Sequence, residues 1–168
     1  PDGRPLILGG MVPYSEGMQS NPDQSVVQGL ASMTPEYYQG GSWHTLLNAY
    51  SRDAFGPDYL RASYPRAWVT PTGKVFGVSA EKMWLLDPAG SGGNGTITTL
   101  GTFKGPPNTT SNPPNVGATN SAVMYDVGKA LLVGGNGGFN GDALPASRMA
   151  TVFDFTTDAP VLTEQPAM

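Results

Sequence analysis

Short apolar runs, separated by glycine, proline and polar residues, are the main pattern along this chain of 168 residues. No uninterrupted window of eleven residues shows the apolar spacing of three and four that an amphipathic helix requires. Apolar and β-branched runs bounded by turn residues are instead typical of strands. The pattern predicts strands near residues 5–9, 65–70, 74–79, 83–87, 120–126, 129–134 and 149–155, with further candidates at 36–38, 42–46, 97–100 and 160–162.

Three segments of the chain repeat one plan. In each, a glycine followed by arginine or lysine opens an apolar run, at Gly3-Arg4, Gly73-Lys74 and Gly128-Lys129. In the second and third segments a strand-like run also precedes the turn, which predicts a hairpin whose glycine supplies a positive φ. Further strand candidates follow each turn. Four short strands per unit are typical of a propeller blade, and the turn glycines lie 70 and 55 residues apart, near or above the kelch period of about 50.

The repeat also predicts how the chain is organised. The approximate blades are residues 1–47, 64–103 and 117–168, with an insertion at 48–63 and a flexible loop within 88–119. The fold class predicted is all-β, a kelch-like β-propeller segment of about three four-stranded blades with long loops. Its predicted core comprises Leu6, Leu8, Trp68, Val75, Trp84, Val123, Leu131, Val133, Val152 and Phe155.

Composition agrees with a turn-rich β protein. Glycine (23) and proline (16) are abundant, and charged residues make up 13% of the chain, about half of the usual share. Glycine and proline disfavour helix interiors, while the 39% hydrophobic content and net charge of −4 argue against disorder. Nine scattered Lys and Arg residues in an acidic chain argue against nucleic-acid binding, which needs a clustered basic patch. No apolar run approaches the roughly 20 residues of a membrane span.

Few residues suggest chemistry of their own. The absence of cysteine excludes disulfides and thiolate sites, and His44, the only histidine, is predicted to be a sheet residue rather than a ligand. The segment from Asn136 to Asp142 lacks the spaced acids of a calcium loop, and its preceding glycines lack a phosphate-loop ending. There is no nucleophile elbow, and no signature supports paired carboxylates for glycoside hydrolysis, although they stay open. We therefore predict no catalytic residue and no metal ligand within this chain.

Five short motifs nevertheless resemble one family. They are Tyr64-Pro65-Arg66, Pro71-Thr72-Gly73-Lys74-Val75-Phe76, Leu86-Asp87-Pro88, Val133-Gly134-Gly135-Asn136 and Gln165-Pro166-Ala167-Met168. Together they resemble the kelch propeller of the galactose oxidase and glyoxal oxidase family of copper-radical oxidases, over most of the chain. The resemblance implies a seven-bladed parent, secreted or extracellular, that oxidises an alcohol or aldehyde with O₂ to give peroxide.

The same resemblance implies that the copper ligands lie outside this chain. The family's cross-linked tyrosine precedes a turn like Pro1-Asp2-Gly3-Arg4, and its second tyrosine with a neighbouring histidine follows an element like Pro166-Ala167-Met168. Copper and the tyrosyl radical would thus belong to the parent, and this chain would supply scaffold and pocket rim. Its partners would be the remaining blades of the same polypeptide or copies of itself. The alternative is a copper-free kelch propeller that acts as an extracellular interaction scaffold or structural protein.

Candidate ligand contacts also come from the resemblance. Counted from Gly134-Gly135, Phe139 and Asn140 occupy the positions of a family Tyr-Gln pair that lines the sugar pocket. Tyr64 and Arg66 stand where the second blade begins and are further candidates. A stacking tryptophan of the family is replaced by Met11-Val12, which favours a small aldehyde over galactose. The expected ligand is therefore a small alcohol, aldehyde or carbohydrate.

Overall fold

The computed structural model describes residues 3–10, 31–56, 61–62, 64–103, 120–136 and 145–166. Of these residues 48% lie in strands and 11% in helices. The prediction of an all-β chain is therefore confirmed. Within the described ranges, eleven strands form three separate antiparallel sheets.

Each sheet is a meander in which neighbouring strands follow one another along the chain. The first sheet contains β1 (Leu6–Ile7), β2 (Glu36–Gln39) and β3 (Ser42–Thr45). The second contains β4 (Arg66–Val69), β5 (Val75–Ser79), β6 (Lys82–Asp87) and β7 (Thr96–Thr102). The third contains β8 (Ser121–Asp126), β9 (Lys129–Val133), β10 (Ala150–Asp154) and β11 (Val161–Gln165). Short helical elements occur at Leu47–Ala49 (a 3₁₀ turn), Arg52–Phe55 (α1) and Gly90–Gly93 (a helical turn).

The predicted strands are all present, but one feature of the predicted organisation differs. The first sheet has three strands rather than four, because no described segment pairs with the free side of β1. The strand predicted at 97–100, within the loop at 88–119, is part of the seven-residue strand β7, since Thr96–Thr102 continues the antiparallel ladder on β6. Residues 104–119 of that loop lie outside the described residues.

The three turn glycines share one backbone conformation. The φ angles of Gly3, Gly73 and Gly128 are +74°, +85° and +74°, in the region that glycine enters without steric cost. In the second and third sheets this glycine closes the hairpin between the first two strands. The predicted positive φ is therefore confirmed in all three repeats.

The repeat continues in the backbone even where its sequence is lost. The sixth and seventh residues after the turn glycine are Gly9-Gly10 in the first unit and Gly134-Gly135 in the third, all with positive φ. In the second unit these positions are Ser79 and Ala80. Ala80 still has a φ of +49°, which is uncommon for a residue with a Cβ atom. The repeated unit thus keeps a positive φ at this position even where its residue, alanine, disfavours it.

The second sheet lies between the other two and is covered on both faces. One face packs against the third sheet in a cluster comprising Phe76, Val78, Leu85, Phe103, Ala130, Leu132, Phe153 and Phe155. The other face packs against the first sheet and α1 in a cluster comprising Leu46, Ala49, Ala54, Phe55, Val75, Trp84 and Leu86. All five residues of β5 are buried, as expected for a strand that is covered on both sides.

Of the ten predicted core residues, three are buried, six are partly buried and one is exposed. Val75, Trp84 and Phe155 are buried, whereas Leu6, Leu8, Trp68, Leu131, Val133 and Val152 are only partly buried. Val123 is 55% exposed, so its assignment to the core is wrong. Successive strand residues point to opposite faces, and the face of the third sheet that meets the second carries Ala130, Leu132 and Phe153. Val123, Leu131 and Val152 pair across β8, β9 and β10 on the opposite, outer face.

A polar contact ties the second sheet to the third at the turn between β4 and β5. Lys74 Nζ donates to Asp158 Oδ2 over 2.6 Å, and Thr72 Oγ1 donates to Asp158 Oδ1 over 2.7 Å. These two hydrogen bonds, the one from Lys74 first, lower the pKa of Asp158 below its ordinary value. The same contact with Asp158 raises the pKa of Lys74.

We expect Asp158→Asn to reduce stability slightly at pH 7 and to have less effect in acid. A carboxylate whose pKa is lower in the folded chain contributes stability above its unfolded pKa of about 3.9, and this stability is lost as the pH falls through the folded value. The effect is small because both side chains are partly exposed. Urea denaturation at pH 7 and pH 3 measures it, and Thr72→Val, which removes one donor, should have a smaller effect. An equal loss for Asp158→Asn at both pH values would contradict this role.

Candidate functional site

Polar groups cluster at the end of the sheets where β4 and β8 begin. Arg66, the first residue of β4, donates from Nη2 to the backbone oxygen of Asn120 over 3.3 Å. The Asn120 amide donates from Nδ2 to the backbone oxygen of Gly134 over 2.8 Å, just after the end of β9. Asn136 lies two residues further along and is buried, as is Asn120. We call Arg66, Asn120, Gly134 and Asn136 the rim cluster.

The third sheet has little space around Asn120. A Cβ atom at Gly135 would clash with the Asn120 side chain, and Gly135 also has a positive φ of +70°. Glycine is therefore required at this position both by the close approach and by the backbone conformation. These two facts explain the glycine at position 135, just after the end of β9 and beside the rim cluster.

Arg66 is the charged group of the rim cluster. Burial lowers its pKa below the ordinary arginine value, and the neighbouring Tyr64 acts in the opposite direction. An arginine stays protonated at physiological pH despite such a shift, so the rim holds a half-buried permanent cation. A guanidinium presents several N–H donors in a fixed plane, which suits the hydroxyl, carbonyl or carboxylate oxygens of a polar ligand.

Of the four predicted ligand contacts, two lie at this rim and two lie outside the described residues. Tyr64 and Arg66 lie at the rim and are partly buried. Phe139 and Asn140 lie outside the described residues. Asn120 was not predicted to be a site residue. The sequence offered one indication, which is a polar residue directly before the strand-like run Ser121–Asp126. An amide that is buried at the end of a strand has to find hydrogen-bond partners.

His44 behaves as a surface strand residue. It is exposed on β3, its Nε2 lies 3.1 Å from the Gln39 carbonyl oxygen, and its ring stacks on Tyr37 with 5.2 Å between centroids. In the ranges that the structure describes, no three His, Cys, Asp or Glu residues lie close enough to hold a metal ion. Copper(II) favours several nitrogen ligands, and the one imidazole is engaged with its own hairpin. The described residues therefore do not fit a copper centre.

A hollow of 680 Å³ lies between the first and second sheets, on the side of the Gly3 and Gly73 turns. It is lined by Gly3, Arg4, Pro5, Leu6, Tyr37, Val69, Gly73, Val75, Pro88 and Ala89. Arg4 lies at its margin, with the guanidinium carbon 4.8 Å from the centroid of the Tyr37 ring and Nη1 donating to Gln39 Oε1 over 2.6 Å. Tyr64 and Arg66 do not contribute to its lining, so the hollow and the rim are distinct places.

No protein-family model, curated protein or solved structure matches this chain. In the part of the chain that the structure describes, no helix has the length and apolar character needed to cross a membrane. Any functional conclusion thus depends on the residues themselves and on the way the three sheets pack.

Proposed function

We propose that this chain is a set of three successive blades in a secreted kelch propeller of the galactose oxidase and glyoxal oxidase type. Its own role is structural: it forms part of the propeller wall and, through Tyr64, Arg66, Phe139 and Asn140, part of the rim of the substrate pocket. The parent protein would oxidise an alcohol or aldehyde, transferring two electrons and two protons to O₂ to give hydrogen peroxide.

The stacking of the sheets is the observation that supports this proposal most. The middle sheet is covered on both faces, whereas the described residues leave an apolar face of each outer sheet exposed. On the first sheet this face carries Ile7, Tyr38 and Trp43, which are 39–47% exposed. On the third it carries Val123 and Val161, which are 55% and 61% exposed. Repeated sheets packed in this way are typical of propeller blades, in which the next blade covers each face.

The rim cluster supports the proposal that the substrate pocket lies at the end of the sheets where β4 and β8 begin. Arg66 begins β4 and Asn120 directly precedes β8, and the hydrogen bond between them joins these two sheets at one end. Phe139 and Asn140 come three and four residues after Asn136 in the sequence. An aromatic ring can stack on a ligand, while an amide and a guanidinium donate to its oxygens.

Copper and a tyrosyl radical would supply the redox chemistry of such a parent. The described residues of this chain do not fit a copper centre, so we assign the chain no step in that reaction. What it contributes to the proposed function is a fixed wall, a half-buried cation at the rim and the exclusion of water by packed sheets.

A second function has some support from the outer face of the first sheet. The rings of Tyr38 and Trp43 lie 5.2 Å apart and are both substantially exposed. Exposed aromatic residues are enriched in protein interfaces. A copper-free kelch propeller that acts as an interaction scaffold or an extracellular structural protein would use such a surface directly.

Copper loading and a peroxide-coupled assay distinguish the two functions. The polypeptide that carries these residues in its natural context, loaded with Cu(II), is expected to bind copper and to produce peroxide from glyoxal-type aldehydes or primary alcohols. The 168-residue chain alone is expected to bind no Cu(II) at micromolar concentration and to produce no peroxide, because it offers one imidazole. His44→Ala should leave both results unchanged.

Two outcomes would contradict the oxidase proposal. A natural polypeptide that neither retains copper nor turns over any of these substrates would leave the scaffold function. Micromolar one-to-one copper binding by the 168-residue chain, abolished by His44→Ala, would show that the metal site had been placed wrongly.

A further inference from the structure

Two N-x-Thr sequons occur in the chain, at Asn94-Gly95-Thr96 and at Asn108-Thr109-Thr110. The first lies within the described residues and the second lies outside them. A sequon is the acceptor signal for N-linked glycosylation in secreted proteins. Because the glycan is bulky and polar, a folded protein can carry it only where the asparagine side chain reaches the surface. Asn94 meets this condition.

The Asn94 side chain is exposed and makes only a weak polar contact. Asn94 and Thr96 are both exposed, and Asn94 directly follows the helical turn Gly90–Gly93. The Asn94 Nδ2 atom lies 3.5 Å from the backbone oxygen of Ser91, which is longer than an ordinary N–H···O hydrogen bond. A sugar attached to Nδ2 would therefore displace a weak contact.

The middle residue of the sequon holds its backbone against the neighbouring turn. Gly95 is buried, and a Cβ atom there would approach the Cβ atoms of Leu46 and Ala49 to 2.9 and 3.1 Å. The backbone oxygen of Asn94 also accepts a hydrogen bond of 2.9 Å from Asn48 N. The backbone is thus fixed on one side, while the side chains on either side of Gly95 are exposed to solvent.

The sequon lies at the end of the second sheet that is opposite to the rim cluster. Arg66, in the rim cluster, is the first residue of β4. Since β4 and β6 are both antiparallel to β5, β6 runs in the same direction as β4 and ends far from Arg66. Asp87, the last residue of β6, pairs with Thr96, the first residue of β7. A glycan on Asn94 would therefore leave the proposed pocket rim open.

We propose that Asn94 is an N-glycosylation site. This inference rests on the proposed function, since it takes the parent protein to be secreted. In the transfer, Asn94 Nδ2 forms a bond to the anomeric carbon of an oligosaccharide that is carried as a lipid-linked diphosphate. The bond from that carbon to the diphosphate oxygen breaks, the lipid diphosphate leaves with the electron pair, and Nδ2 loses one proton. The Thr96 hydroxyl completes the signal that the transferase recognises.

Secretion of the 168-residue chain from a eukaryotic host tests the acceptor. The chain is expressed behind a cleavable signal peptide and carries Asn108→Gln, which removes the second sequon. Thr96→Val then removes the hydroxyl of the first sequon. Thr98→Val is the matched control, because it makes the same change two residues further along β7, where the side chain is also exposed. Mass spectrometry of the intact peptide that contains Asn94 measures the fraction that carries a glycan.

We expect the majority of secreted molecules to carry a glycan at Asn94, both in the starting chain and in Thr98→Val. Thr96→Val should carry none. Unmodified Asn94 in the secreted chain would overturn the proposal, as would equal occupancy in the two threonine variants.

The urea midpoint tests the surface position of the acceptor separately. Because the Asn94 side chain is exposed, the glycosylated chain should have a midpoint equal to or higher than that of its Asn94→Gln variant. A lower midpoint for the glycosylated chain would mean that the sugar disturbs the packing around Gly95, and it would also overturn the proposal.

The natural polypeptide separates this inference from the proposed function. If Asn94 accepts a glycan in the host but is unmodified in the natural polypeptide, the proposal fails through its premise of secretion and not through the geometry of the acceptor. None of these measurements depends on copper or peroxide, so failure of the oxidase proposal would leave the glycosylation result standing.

Discussion

Replacing Trp84 by alanine is expected to lower the free energy of unfolding by about 3–5 kcal/mol, the range for truncating a large buried aromatic side chain. Trp84 is fully buried in the middle sheet, and its ring meets Phe55 edge-on with 5.2 Å between centroids. Its Nε1 donates to Ser79 Oγ over 2.8 Å. The ring also covers Gly77 on the neighbouring strand so closely that a Cβ atom there would fall among its atoms. Truncation therefore opens a cavity between β5, β6 and α1 and leaves the Ser79 hydroxyl without this donor.

Trp43 provides a matched control in the same chain. It is 47% exposed on β3, where its ring contacts Tyr38 on the neighbouring strand. Trp43→Ala should therefore cost about 1 kcal/mol or less, as for an exposed cross-strand pair. Urea denaturation at one protein concentration, monitored by far-ultraviolet circular dichroism, measures both variants. Equal losses for the two tryptophans would show that the middle sheet is not the most deeply buried part of the molecule.

Two adjacent leucines on β9 should differ strongly when each is replaced by alanine. Leu132 is buried against the second sheet, so Leu132→Ala is expected to cost about 2–5 kcal/mol. Leu131 lies on the partly exposed outer face of the same strand, so Leu131→Ala should cost about 1 kcal/mol or less in the 168-residue chain. The two variants remove the same atoms from neighbouring positions, which makes each the control for the other.

The same pair of variants also tests whether another sheet covers the outer face of the third sheet. In a longer propeller the next blade would bury Leu131, and Leu131→Ala would then become nearly as costly as Leu132→Ala. Urea midpoints in the 168-residue chain and in the natural polypeptide give the comparison. A small loss for Leu131→Ala in both proteins would mean that no further sheet packs on this face.

Local patterns in the sequence were sufficient to predict the strands and their turns. Apolar runs that follow a Gly-Lys pair indicated the positions of β5 and β9. A turn with a positive φ favours glycine, so such a turn can be recognised from a single residue. These features depend on residues close together in the chain.

The choice of face and the number of strands could not be predicted in this way. The run Ser121–Asp126 is apolar at four successive positions, from Ala122 to Tyr125, so its pattern predicts burial on both sides and does not identify which side is covered by described residues. This explains why Val123 was wrongly assigned to the core. The positive φ of Ala80 could not be predicted either, because the second unit lacks the Gly-Gly pair that marks this position in the first and third units.

The candidate site was predictable only in part for the same physical reason. Tyr64 and Arg66 stand in a recognisable motif before a strand. Asn120 acquires its role through hydrogen bonds with Arg66, 54 residues away, and with Gly134. Contacts between separate sheets are set by the packing of whole sheets, which a local motif does not encode.

Sedimentation velocity of the isolated 168-residue chain over a range of concentrations, combined with binding of the dye ANS, tests the central claim most directly. If the chain is a part of a larger stack, the two apolar faces and the edge of β1 that the described residues leave exposed should cause association above the monomer mass of 17.6 kDa as concentration rises. The same faces should bind the dye. A single 17.6 kDa species at every concentration, without dye binding, would contradict the claim that these three sheets are successive blades of a longer propeller.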